Sequence, residues 1–162
     1  MRAWVVAMQL GGVSLLTWLL VASPLGVAAD SAASTPVGLV RSWDAALNTH
    51  NPQAAMALMA DGADVQADRA PQQPEQVRGW IEQLIRENTQ VDLIGVPQID
   101  SSTSARYGRE TTVTWRARLS MDRFRQSGVQ FVDATLGAVV VDSRITFLSV
   151  RPDAGWFQLL GR

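Results

Sequence analysis

The chain contains no cysteine and no lysine, and it has one histidine, His50, and one tyrosine, Tyr107. Without cysteine there can be no disulfide, no thiolate metal site, no cysteine nucleophile and no lipid-modified N-terminal cysteine. A single histidine among carboxylates scattered at no ligand spacing leaves no metal site to expect. No glycine-rich turn joins a strand to a helix, so a phosphate loop is excluded. A serine triad would need His50 as its base, and no strained nucleophile turn accompanies it. Nothing in this inventory calls for a cofactor. All basic residues are arginine, which reads as coding bias, and the net charge of -1 gives no reason to expect nucleic acid or an anionic membrane as partner. With 47% hydrophobic and 18% charged residues over 162 positions, the chain suits one globular domain and an accessory segment.

That segment is N-terminal. Arg2 supplies positive charge, Ala3 to Val21 carries none, Pro24 and Gly26 break the helix, and Val27-Ala28-Ala29 offers small residues before Asp30. Positive, apolar, breaker, small is the order of a signal peptide, so residues 1–29 are expected to direct export to the periplasm or the medium. The apolar stretch approaches the roughly 20 residues that span a bilayer, so a retained membrane anchor is the alternative. Membrane contact is expected only in that case. Residues 30–35 read as a flexible lead-in, and 36–162 as the folded domain.

The domain is organised around Glu110 to Met121, where apolar and polar residues alternate. Val113, Trp115, Ala117, Leu119 and Met121 point one way; Thr112, Thr114, Arg116 and Arg118 point the other. A helix is expected from about Pro36 to His50, with Thr35 as N-cap and Leu39, Val40, Trp43, Ala46, Leu47 and His50 on one arc. Asn51-Pro52 ends it and starts a short second helix containing Ala55 to Met59. A brief strand follows at Asp64 to Ala67. A third helix begins at Pro74 or Glu75 with the stripe Val77, Trp80, Ile81, Leu84 and Ile85. From Gln90 the pattern is extended, and Pro97 marks that strand as an edge or an irregular one. Ser101 to Ser104 reads as a loop, and Gln126-Ser127-Gly128 as a turn. A second long strand covers about Val129 to Val141 with a bulge or bend at Gly137. Asp142-Ser143 is a hairpin turn into Ile145 to Val150.

Three local patterns in this order resemble the nuclear transport factor 2-like superfamily, in its SnoaL-like branch. Ala45 to Val65 looks like the family's two opening helices and first strand. Arg78-Gly79-Trp80-Ile81 sits where the family often has a glycine before the apolar face of its third helix. Asp142-Ser143-Arg144-Ile145 looks like the penultimate hairpin, with Ser143 in place of the usual glycine. The resemblance covers about Val37 to Val150. It implies an α+β cone, a strongly curved antiparallel sheet wrapped around about three N-terminal helices, with a pocket in the hollow.

Fold does not fix function, and the family's catalytic sets do not transfer. Its epoxide hydrolases place an Arg-x-Asp pattern on a central strand, where this chain reads Arg116-Ala117-Arg118. Ser149 stands about where their second Asp would be, and Tyr107 lies in or beside a loop, away from the steroid-isomerase position. Candidate acids and bases are Asp133, Asp44 and His50. His50 either projects toward the pocket or is a turn histidine bonded to a helix carbonyl. Asp44, at the margin of the first helix's apolar arc, reads as a solvated side chain rather than a pocket base. Asp133 faces the hollow in one register. In the other, which keeps Val132, Ala134 and Leu136 inside, it pairs outward with Arg116 or Arg118, and this register is favoured. Candidate pocket residues are Trp43, Leu47, His50, Met59, Trp80, Leu84, Trp115, Leu119, Phe131 and Phe147. The expected activity is that of a non-catalytic extracytoplasmic module binding a small apolar ligand or a partner. The alternative is a small cofactor-free isomerase, polyketide-cyclase-like or epoxide-hydrolase-like enzyme with a pocket acid or histidine as base. A homodimer through the outer sheet face, at Thr112, Thr114, Arg116 and Arg118, is a further expectation.

Overall fold

A computed structural model describes residues 35–67, 70–106 and 108–153. The export segment, Tyr107 and the apolar patch at Trp156, Phe157 and Leu159 lie outside the described residues. Helix α1 spans Pro36–Asn48, with the Thr35 hydroxyl accepting from the Gly38 N–H at 3.0 Å and Pro36 in the first turn, where it has no bond to lose. Helix α2, Pro52–Ala57, is capped the same way by Asn51, which accepts from Ala54 N–H at 2.9 Å. Helix α3 is Pro74–Arg86, and the Gln76 side chain accepts from the Gln73 N–H ahead of it.

Strands β1 (Met59–Ala67), β2 (Ala70–Gln72), β3 (Gln90–Ser104), β4 (Gly108–Ser120), β5 (Val132–Val141) and β6 (Arg144–Pro152) form one sheet in the order β2-β1-β6-β5-β4-β3. Only the β1–β6 pairing is parallel. The sheet is curved and unclosed, with the helices in its hollow. Its register shifts between Ile94 and Gln98, between Val139 and Val140, and between Met59 and Asp64, and such extra residues bend strands. Gly95, at φ 77, sits in the first of these, and Pro97 falls on β3, an edge strand that can spare an N–H.

Alternation then decides the two faces. Val113, Trp115, Ala117 and Leu119 on β4 are buried, as are Val132, Ala134, Leu136, Ala138 and Val140 on β5. They pack against Leu39, Val40, Trp43 and Leu47 of α1 and Val77, Ile81 and Leu84 of α3.

Four expectations about elements are corrected. Ser101 to Ser104 is not a loop; it pairs with Gly108 to Thr111 as the outer end of β3. The Gln126 turn is preceded by a short helix α4, Asp122–Gln126, so β5 begins at Val132 instead of Val129. The bulge lies on β6 at Thr146, opposite Val139/Val140, and Gly137 stays in register opposite Thr114 and Ser149. The first strand begins at Met59, well before Asp64, because β6 extends beside it.

Candidate functional site

The hollow between α1, α3 and the sheet keeps a small open cavity of about 40 Å³. Trp43 and Leu47 of α1, Trp80 and Leu84 of α3, and Leu119, Leu136 and Val150 from the sheet line it. The two tryptophans stack with ring centroids 6.2 Å apart and planes 15° from parallel, an arrangement that suits their quadrupoles. Each helix supplies its tryptophan from the stripe that faces the sheet, so helix docking and cavity wall are made by the same residues.

Three polar groups interrupt this apolar lining. The indole N–H of Trp43 and the hydroxyl of Thr89 are buried and have no hydrogen-bond partner, which is uncommon in a folded interior. Arg123 completes the lining, with its Nε 3.0 Å from Glu87 Oε2. It is half-exposed, at the boundary between the cavity and solvent.

Next to the cavity, without lining it, lies Asp44. It is only 6% exposed, and neither carboxylate oxygen has a well-formed hydrogen bond. Burial raises its pKa from 3.8 to about 8, and the Trp115 indole, a weak and poorly aligned donor, lowers it slightly. At neutral pH Asp44 is therefore protonated. The expectation of a solvated helix face is overturned: α1 packs so closely on β4 that its margin, with Asp44, is covered by the sheet.

The other expected site residues scatter. Trp43, Leu47, Trp80, Leu84 and Leu119 come together around the cavity. Trp115 is buried in the core beside Asp44 and does not line it. Met59 is buried at a separate groove between β1 and the start of α3. His50 does not reach the hollow: it is exposed, at φ 55, where the chain reverses between α1 and α2. Phe147 faces outward, because the extra residue Thr146 on β6, opposite Val139/Val140, puts Leu148 and Val150 on the inner face instead. Phe131 lies before β5, 45% exposed, with the Arg118 guanidinium 4.0 Å from its ring centroid. Asp133 faces outward and bonds Arg118 at 3.2 Å.

Sequence reading missed Asn48. It stands opposite the apolar arc in projection, yet its side chain donates to Val91 O at 2.9 Å and accepts from Val91 N at 2.7 Å. The only signal was an amide in the last turn of a helix that precedes an edge strand.

No protein-family model matches the sequence, and no curated protein matches it. Solved structures do. A nuclear transport factor 2-like protein of unknown function from Cytophaga hutchinsonii superposes with a TM-score of 0.56 at 16% identity, over 79% of this chain and 96% of that one. The fold is nuclear transport factor 2-like. A candidate polyketide cyclase from Sinorhizobium meliloti matches with a TM-score of 0.52 at 19% identity, over 70% of this chain and 93% of that one. An Anabaena orange carotenoid protein matches with a TM-score of 0.56 at 13% identity, over 76% of this chain and 38% of that one. At such identities the likeness speaks for fold alone. Within the nuclear transport factor 2-like frame, Arg116, Arg118 and Ser149 all point away from the hollow. The inward positions are Trp115, Ala117 and Leu119 on β4 and Leu148 and Val150 on β6, so comparing Arg116-Ala117-Arg118 with an Arg-x-Asp site compares the wrong face.

Proposed function

We propose that this chain is an exported, non-catalytic binding module whose hollow receives an apolar group of a small ligand. One observation carries the reading. Among the described residues that line the cavity, Arg123 alone can ionise, and a guanidinium held by Glu87 transfers no proton near neutral pH. The remaining lining offers area and shape, with the Trp43 N–H and the Thr89 hydroxyl free to orient a guest. A protein that shares this fold over part of its length binds canthaxanthin, an example of the fold accommodating an apolar guest.

Size limits what enters. A cavity of about 40 Å³ is well below the roughly 150 Å³ of an apolar cavity that admits benzene. It takes the tip of an alkyl chain or the edge of a ring, and a whole ring requires the half-buried Trp80 to move aside. Trp80→Ala should accordingly tighten binding of a neutral apolar probe, N-phenyl-1-naphthylamine, by about tenfold, read by fluorescence titration. Unchanged or weakened binding would place the probe elsewhere and refute the hollow as the site.

Asp44 supports a second reading, an enzyme with a buried carboxylic acid, because its raised pKa suits a proton donor. Epoxide, ketosteroid and polyketide-like substrates tested against the parent and Asp44→Asn decide between the two. Turnover lost in that variant would replace the binding module with an enzyme.

A further inference from the structure

A second space, open to solvent, lies on the outer face of the sheet. On the outer face, Thr114, Gly137 and Ser149 stand side by side on β4, β5 and β6, and the absent side chain of Gly137 leaves a dish of about 220 Å³. A Cβ at position 137 would come within 2.9 Å of Ser149 Oγ, so glycine is what lets the serine lean over the floor. Ser149 is itself 8% exposed, and its hydroxyl spends only a long 3.4 Å contact on the Gly137 carbonyl. Phe147 and Arg151 lie two residues to either side of Ser149 on β6, about 13 Å apart along the strand, and close the two ends of the dish. Thr135, opposite Arg151, adds a hydroxyl.

Charge distinguishes these ends. Arg116 is bound to Asp153 at 2.6 Å, and Arg118 to Asp133 at 3.2 Å. Among the described residues, Arg151 has no acid within ion-pair distance. The dish therefore presents a flat floor of backbone, an aromatic wall at one end, hydroxyls along its sides and one uncompensated cation at the other end. An anionic guest would cancel this charge.

We infer that this dish is a binding site, separate from the hollow, for a flat ring carrying a carboxylate. The ring lies on Gly137 against Phe147, and the carboxylate takes the guanidinium of Arg151, a planar donor that matches it in two bonds. The inference does not depend on the hollow's having a ligand.

The probe is 3-phenylpropionate, a flat ring joined to a carboxylate by two methylenes. Titration into the protein, followed by calorimetry or by amide chemical shifts, should saturate and should perturb β5 and β6. The neutral 3-phenylpropionamide should bind at least about tenfold more weakly, as should the acid to Arg151→Gln, the loss of one charge-assisted pair. Trp80→Ala should leave the affinity unchanged. The amide comparison leaves the protein untouched, so it stands even where a variant folds poorly. Equal affinity for acid and amide, indifference to Arg151→Gln, or loss on Trp80→Ala would each overturn the assignment. So would failure to saturate accompanied by sedimentation as a dimer that Arg151→Gln dissociates, because the face would then belong to a second copy.

Discussion

Asp44 shows how far one residue's surroundings can move it. Its carboxyl is buried beside Trp115, and burial and the Trp115 indole are what act on its pKa. In the unfolded chain it releases its proton near 3.8, and in the folded chain near 8. Between those values the folded state holds one proton more than the unfolded, so stability falls as pH rises across that window. The contribution is complete below 3.8 and gone above about 8. Asp44→Asn removes the proton and its linkage. Relative to the parent, the variant should gain about 4 kcal/mol between pH 5 and pH 9, most of it below pH 8. Urea denaturation at pH 5, 7 and 9 measures it. A gap that does not change with pH would mean that Asp44 is ionised and solvated in the folded state.

At the scale of elements, α1 is fixed to the sheet by two different means. Apolar burial of Leu39, Val40, Trp43 and Leu47 sets its rotation, and Asn48 sets its position by pairing both backbone groups of Val91 at the start of β3. Val91 is 3% exposed, so water cannot readily replace a lost partner. Asn48→Ala is expected to destabilise the domain by about 1–3 kcal/mol, the cost of buried backbone groups left unpaired. The same denaturation series detects it, and a change under about 0.5 kcal/mol, typical of surface substitutions, would show that the two bonds do not hold the helix. The Asp142-Ser143 turn is the complementary case. Both residues adopt positive φ, 47° and 58°, as a two-residue hairpin between right-twisted strands requires. Turn chemistry of this kind is local and was readable in the sequence, whereas Asn48 depends on a strand 43 residues away.

For the whole molecule, we propose export, with the N-terminal segment removed near Ala29. The mature protein recovered outside the cytoplasm should begin close to Asp30, which intact mass measurement establishes. An uncleaved N-terminus found only in membranes would instead identify an anchor. The curved sheet and its helices supply two chemically distinct spaces, an apolar hollow and an outer dish edged by Arg151.

Periodicity determined most of the architecture, because period-two alternation and the 3.6-residue stripe are properties of local sequence. The facing of β4, the caps Thr35 and Asn51, the stripe of α3 and the outward turn of Asp133 all follow from neighbours within a few positions. Register and curvature decided the rest. One extra residue on β6, Thr146, set the facing of Phe147, since a shift of one exchanges the two faces of a strand. The burial of Asp44 arose because a helix margin is exposed or covered according to how closely the sheet curves onto it. The dish over Gly137 exists because three strands align Thr114, a glycine and Ser149 side by side, a coincidence of positions that no single stretch of the chain contains.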